Sequence, residues 1–430
     1  MRANPLRPEP NLLKNTINIR LAVICLAAAS VGLSMVLISI SKLFLLAFGA
    51  SALIFSRRFP TPGRRLNGMS TPTVIVLVLG AFALSLFWTV APQAEALGSL
   101  PKYGKLLMVI FLVILIRDQR EAIYALGAFA VAQTFLLASS WMLFLHLPVP
   151  WATSRMALTE YAVFSSYLDQ GIMSTVFAAL CWHLRELVPG RFGRRLAIFI
   201  AFLGLANVFF VLIGRSAHVI SIVLISIAIM WELPKKYRPL IVLLPFLLAI
   251  GLFFASSKVR DRLTLVQTEV SAYSAQHKAD TSSGIRLDLW NTALQAIGEH
   301  PLAGSGIGSW STQFNRLQHE KNPAHVDIDG NGNPHQEFLL WGVQLGIPGI
   351  LLFMALLFSM WRDTLKMAKP YARAAQSTLI ALTVACLFNS SLYDAQIGDF
   401  FCILIGLLLA LGRQNLPEQP LAYPHFKQPV

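Results

Sequence analysis

Apolar residues in this chain fall in long runs of helical length separated by short polar stretches, first from about residue 21 to 256 and again from 336 to 412. A helix rises about 1.5 Å per residue, so about 20 apolar residues cross a hydrocarbon core about 30 Å thick. Twelve runs approach that length, at 21–40, 43–56, 74–91, 100–116, 122–145, 170–187, 196–214, 218–232, 240–256, 336–361, 374–392 and 398–412. The second and the last are short for a full crossing. The pattern predicts an all-α polytopic membrane protein of about 12 transmembrane helices. Residues 1–256 would carry helices 1–9, residues 257–335 one large outer loop, residues 336–412 helices 10–12, and residues 413–430 a tail. The first run lacks a small-residue cleavage site and is followed at once by another, so it is expected to stay in the membrane.

Composition supports that pattern and excludes several other classes. Hydrophobic residues make up 55% of the 430 and charged residues 13%, against about 25% charged in soluble proteins. A globule of this size could not cover its surface with so few charges, and disordered, collagen-like and disulfide-scaffold chains are excluded by the same balance. The four cysteines, Cys25, Cys181, Cys386 and Cys402, all lie in apolar runs and are expected as free thiols. A net charge of +14 would by itself suggest nucleic acid, but the basic residues cluster between apolar runs, so no nucleic-acid partner is expected.

Those clusters also orient the helices. With the N-terminus inside, inner segments hold twenty-three of the 35 Lys and Arg residues, including Arg57, Arg58, Arg64 and Arg65, Arg191, Arg194 and Arg195, and Lys427. Of the twelve left outside, seven lie in the long loop, which translocates regardless of charge, and Lys42 is placed in a short outer loop. The bias of short loops therefore puts both termini in the cytoplasm.

The stretch from Ser257 to His335 alone reads as water-soluble, with Lys and Arg nearly balanced by Asp and Glu. Ile285, Leu289, Ala293, Ala296 and Ile297 recur at helical spacing, with Ser283 as a cap and Arg286 in or near the first turn. Residues Pro301–Gly308 should end that helix, Gly308–Glu320 should form a second, and His325–Pro334 reads as a Gly/Asn/Asp turn.

Several residues are placed where chemistry could use them. Arg215 ends an apolar run in Ile213-Gly214-Arg215-Ser216. It reads either as a snorkelling anchor or as a planar fork for a phosphate or carboxylate. Arg286 meets an unfavourable dipole near a helix start, which an anionic ligand would offset. His335, where the soluble loop re-enters the membrane, has the chemistry of a general base, although a loop histidine bonded to nearby backbone fits the position equally well. Lys102 and Lys105, at the outer start of the fourth run, are either interfacial snorkelling residues or anion contacts. Asp327-Ile328-Asp329-Gly330-Asn331-Gly332 matches the opening of a calcium loop, but position twelve is Phe338 and a preceding helix is replaced by Lys321-Asn322-Pro323. A polar turn explains it better, and neither a metal site nor a cofactor is expected.

Three separated stretches together resemble the bacterial O-antigen ligases, and more broadly the O-antigen ligase, O-antigen polymerase and protein O-oligosaccharyltransferase group of membrane glycosyltransferases. They are Gly214-Arg215-Ser216, then Gly284-Ile285-Arg286 with Trp290 and His300 to Gly308, then His335 with Leu339, Gly346 and Gly349. The resemblance covers roughly residues 205–350. It implies a GT-C type fold in a bacterial inner membrane and transfer of a glycan from undecaprenyl diphosphate to lipid A-core on the periplasmic face, without metal or nucleotide sugar. Carried over residue by residue, it places Arg215 and Arg286 on the diphosphate, with Lys102 and Lys105 as further contacts, and His335 at the reacting centre. Asp394, before the last run, matches an acidic position and either orients His335 or faces solvent. Where many relatives carry His-Asn and a later Glu, this chain has Gln336 and Gln344, which leaves Glu337 or Asp394 as the carboxylate beside the histidine.

The same donor chemistry serves an O-antigen polymerase, whose acceptor is a second polyprenyl-linked glycan. A protein O-oligosaccharyltransferase usually carries a larger C-terminal soluble region. A transporter of lipid-linked glycans would instead place ionisable groups at mid-membrane, whereas the charges singled out here gather at one face.

Overall fold

A computed structural model describes residues 10–54, 66–237, 243–257, 260–261, 264–265, 282–323, 326–327 and 332–413. Among them the secondary structure is entirely helical: α1 Pro10–Ser30, α2 Met35–Ile54, α3 Thr71–Leu84, α4 Gln93–Gly104, α5 Leu107–Leu115, α6 Gln119–Phe144, α7 Tyr167–His183, α8 Gly190–Ala206, α9 Arg215–Glu232, α10 Leu244–Ala255, α11 Ser282–Glu299, α12 Trp310–Lys321, α13 Glu337–Thr364, α14 Lys369–Phe388 and α15 Ala395–Arg413, with short 3₁₀ and π turns between some of them. From 74–91 onward each predicted apolar run overlaps these helices in order, with 100–116 running across α4 and α5. Eight are long and apolar enough to cross a membrane, with α4 and α5 counted as one continuous segment, and the chain is an all-α polytopic membrane protein. Arg57, Arg58, Arg64, Arg65, the tail after Arg413 with Lys427, and most of the Asp327–Gly332 turn lie outside the described residues.

The first two predicted runs need correction. The chain turns at Val31–Ser34, so the helices are 10–30 and 35–54 rather than 21–40 and 43–56. Apolar residues continue through the turn, so hydropathy alone does not reveal it. Lys42 consequently lies within α2 and not in an outer loop, and its ammonium pairs with Asp399 of α15 at 2.7 Å. A charge inside the apolar layer is tolerated when paired in this way.

Helix α15 is the central post. Every residue from Gln396 to Gly412 is buried, with α5, α6 and α14 packed around it. A second layer forms where α14 meets α7 and α9, while α13 packs on α3, α11 and α14. Polar contacts sort to the two ends of the bundle. At one end Arg20 pairs with Glu121, Asp363 accepts the backbone N–H groups of Ser70 and Thr71 at the start of α3, and Arg373 pairs with Glu232. At the other, α11 and α12 of the large loop pack on α13, and between them the Ile307 carbonyl accepts from Thr89 Oγ1, just before α4, at 2.7 Å.

That loop is docked by backbone. In 300–308 the N–H groups of Ser305 and Gly306 donate to Val343 and Gln344 carbonyls at 2.8 and 2.9 Å, and Ile347 N–H returns to the Pro301 carbonyl at 2.8 Å. Two close approaches of this stretch, one to Thr89 and one to α13, demand glycine. Gly306 has φ +84°, and a Cβ there would lie 2.3 Å from the Thr89 Cα. Gly346, at φ +70°, kinks α13, and its Cβ would lie 2.5 Å from the Pro301 carbonyl oxygen. The His300–Gly308 stretch is thus a packing element that fixes the loop over the bundle end.

Candidate active site

Four polar side chains close a ring at this end. His335 stands two residues before α13 with φ +52°, the left-handed region that non-glycine residues occupy only when held there. Asn333 holds it, its Oδ1 accepting the His335 backbone N–H at 2.9 Å. The His335 ring Nδ1 lies 3.0 Å from Asn389 Oδ1. Asn389 Nδ2 donates to one Asp394 oxygen at 3.2 Å, and Asn333 Nδ2 donates to the other at 3.1 Å. One carboxylate thereby anchors both the ring and the backbone of the histidine. Burial raises the Asp394 carboxyl above its ordinary value, while the charges of His335, Lys105 and Lys102 and the Asn333 hydrogen bond oppose that rise.

The turn carrying Asp394 is clamped from below. Glu337 is fully buried and accepts three hydrogen bonds, from Trp341 Nε1 at 2.9 Å and from the backbone N–H groups of Leu392 and Tyr393 at 2.9 and 3.1 Å. Lys105, 3% exposed, donates to the carbonyls of Asp394 at 2.6 Å and Tyr393 at 3.3 Å. Its ammonium is spent on the turn, which puts it beneath the site as a support and not among surfaces that face a ligand. Lys102 is exposed. It donates to the Tyr393 hydroxyl at 2.9 Å, with its ammonium 4.1 Å from that ring's centroid. Tyr103 stacks on Phe82 at 3.7 Å and meets Tyr393 and Trp341 at 5.6 Å, an aromatic floor that holds these groups still.

Arg215 reaches the first turn of the helix that carries Arg286. Arg215 is the first residue of α9, and its Nη1 donates to Ser283 Oγ at 3.1 Å. Ser283 lies inside the first turn of α11 and accepts from Arg215, where the sequence suggested a cap. Arg286 is three residues further along the same helix, hence on the same face. Gly214, before Arg215, packs against the backbone of Tyr167 and Leu168 at the start of α7. Both α7 and α9 pack on α14, whose C-terminal end delivers Asn389 to His335. Arg215, Arg286, His335, Asp394 and Lys102 therefore share one end of the bundle.

Of the two carboxylates open from sequence, Asp394 is the one linked to His335, through Asn389 and Asn333, while Glu337 serves the turn. Gln336 caps α13 by accepting Leu339 N–H at 2.5 Å, and Gln344 accepts the Tyr103 hydroxyl at 3.2 Å. Sequence reasoning missed Asn389 and the role of Asn333. An amide closing an apolar run reads as an ordinary helix end, and only the folding back of a chain in which Asn389 lies 54 positions after His335 reveals the pair. In the former calcium-loop stretch, Asp327 Oδ1 is engaged by His319 Nε2 at 2.7 Å.

Comparison with known proteins bears on this end directly. Residues 199–354 match the family described as O-antigen ligase, a span that contains Arg215, Arg286 and His335. A further match is to an uncharacterized protein of Haemophilus influenzae, 25% identical over 126 residues, covering 28% of this chain and 31% of that protein.

Proposed function

We propose that this chain, which belongs to the O-antigen ligase family through its residues 199–354, transfers a glycan from undecaprenyl diphosphate to lipid A-core oligosaccharide in lipopolysaccharide biosynthesis. The observation that carries the reading is that the family span holds both arginines and the histidine, and that the fold gathers all three at one end of a membrane bundle. That end is the periplasmic face of a bacterial inner membrane, with both termini cytoplasmic, as the Lys and Arg bias of the loops supports.

His335 Nε2 takes the proton of the acceptor hydroxyl as its oxygen attacks the anomeric carbon. The bond from that carbon to the phosphate oxygen breaks on the opposite side, so the anomeric configuration inverts and undecaprenyl diphosphate departs with the bonding electrons. Arg215 and Arg286 meet the negative charge that develops on the diphosphate, the task that a divalent ion performs in other transferases. Two cations at the positive ends of helices α9 and α11 stand at a cost that an anionic ligand offsets. Lys102 lies at the rim of the same end as a further contact for donor or acceptor phosphate.

An O-antigen polymerase would share every step but the acceptor. The experiment supplies purified protein in lipid nanodiscs with undecaprenyl-diphosphate glycan and either lipid A-core or a second lipid-linked glycan. Glycosylated core and no lengthened lipid-linked glycan is the expected product, and it is expected to fall sharply in Arg215→Ala and Arg286→Ala. Chain lengthening alone would assign the polymerase, and wild-type transfer by both arginine variants would overturn the diphosphate assignment.

A further inference from the structure

We infer that Asn389 is a positioning residue that transmits the charge of Asp394 to His335 and so decides which imidazole nitrogen is free to take a proton. The inference rests on His335 acting as the base, and it names what sets that base.

An ionised carboxylate can only accept hydrogen bonds, whereas a carboxamide has one accepting and one donating end. Asn389 must therefore turn its Nδ2 toward Asp394, at 3.2 Å, and this leaves its Oδ1 facing the His335 Nδ1 at 3.0 Å. An oxygen without hydrogen in that place requires Nδ1 to carry the proton, so Nε2 holds the lone pair. Asn333 repeats the logic on the backbone, with Nδ2 on the other Asp394 oxygen and Oδ1 on the His335 N–H. The amide passes on direction without pressing a full charge against the ring. Its own backbone is fixed at the end of α14, where the Asn389 N–H donates to the Ala385 carbonyl at 2.9 Å. Only the side-chain torsions of Asn389 remain to be ordered, and both ends of the amide are engaged. The relay is also conditional. A protonated Asp394 can donate as well as accept, the amide loses its reason to face one way, and both imidazole tautomers become accessible.

The test uses the full-length protein in nanodiscs, with histidine ring nitrogens labelled for NMR, and initial rates with the lipid-linked donor. Asn389→Leu is expected to lose about 10- to 100-fold in kcat, part of the 10²–10⁴ that a positioned base contributes, with donor KM within about twofold. His335 should then show a mixture of tautomers. Asn389→Asp restores an acceptor against Nδ1 and is expected to recover the single tautomer and part of the rate. Asp394→Asn leaves Asn389 in place and is expected to mix the tautomers, which covers the case in which the leucine variant does not fold. Wild-type kcat and an unchanged tautomer in Asn389→Leu and Asp394→Asn, with His335→Ala inactive, would overturn the relay alone. A fully active His335→Ala would instead remove the catalytic reading, and the tautomer spectra would still decide whether Asn389 sets the ring.

Discussion

Glu337 offers a sharp test of how the site is built. Its carboxylate accepts from three donors, Trp341 Nε1, Leu392 N–H and Tyr393 N–H, at 2.9, 2.9 and 3.1 Å. Glu337→Ala strands all three. A buried donor left unmade costs about 1–3 kcal/mol, so the variant should lose about 3–9 kcal/mol, against a total stability of about 5–15 kcal/mol for a typical protein. Glu337→Gln keeps one accepting oxygen, able to serve either the indole or the turn, and should retain part of that loss. Thermal unfolding in detergent, read by intrinsic fluorescence, ranks the three proteins. The expected order is wild type, then Gln, then Ala, with transfer activity falling in the same order because the turn carries Asp394 and Asn389 beside His335. An alanine variant that melts with the wild type would refute the clamp and the placement of the turn with it.

Asp394 couples stability and activity in opposite senses. Burial raises its carboxyl, so its ionised form costs stability, and that cost is relieved as pH falls through the folded value toward the ordinary one. Both asparagine amides need the ionised form, so transfer should fall over the same acid range, while Asp394→Asn should be slower, more stable and less sensitive to acid in parallel melts and rates. Gly306→Ala forces a left-handed backbone worth about 1–2 kcal/mol against an alanine and drives its Cβ onto the Thr89 Cα. It should lower the melting temperature and the transfer rate without touching any charged group. Lys42→Met leaves Asp399 buried without its partner, at a cost of about 3–5 kcal/mol, and Lys42→Met with Asp399→Leu should recover most of that loss in melting experiments.

Much of the architecture was legible because the solvent is lipid. Helical runs such as 122–145 and 196–214 need only length and apolarity to be found, and they fall on α6 and on α8 with its π turn. The turn at Val31–Ser34 was hidden because its residues are as apolar as the helices it separates, and that error carried Lys42 out of the membrane. Hydropathy equally could not show that α15 is buried on every side and that α10 is not. In the site, Arg215 and His335 announced themselves as charged or titratable groups at the edges of apolar runs, and Arg286 as a cation near the start of a loop helix. Lys105 announced itself the same way, yet its ammonium turns inward onto two carbonyls, a difference that position along a helix cannot encode. The relay through Asn389 and Asn333 was illegible for a different reason. Neutral amides at helix ends are ordinary, and their meaning here comes from a carboxylate and an imidazole that only the tertiary fold brings within 3.2 Å of them.

The proton acceptor is the most exposed part of the mechanism. Single-turnover transfer from undecaprenyl-diphosphate glycan to lipid A-core by His335→Ala in nanodiscs, at saturating donor, isolates the chemical step from binding. A loss of about 10²–10⁴-fold with donor affinity preserved is expected of a missing general base, and transfer at the wild-type rate would contradict it.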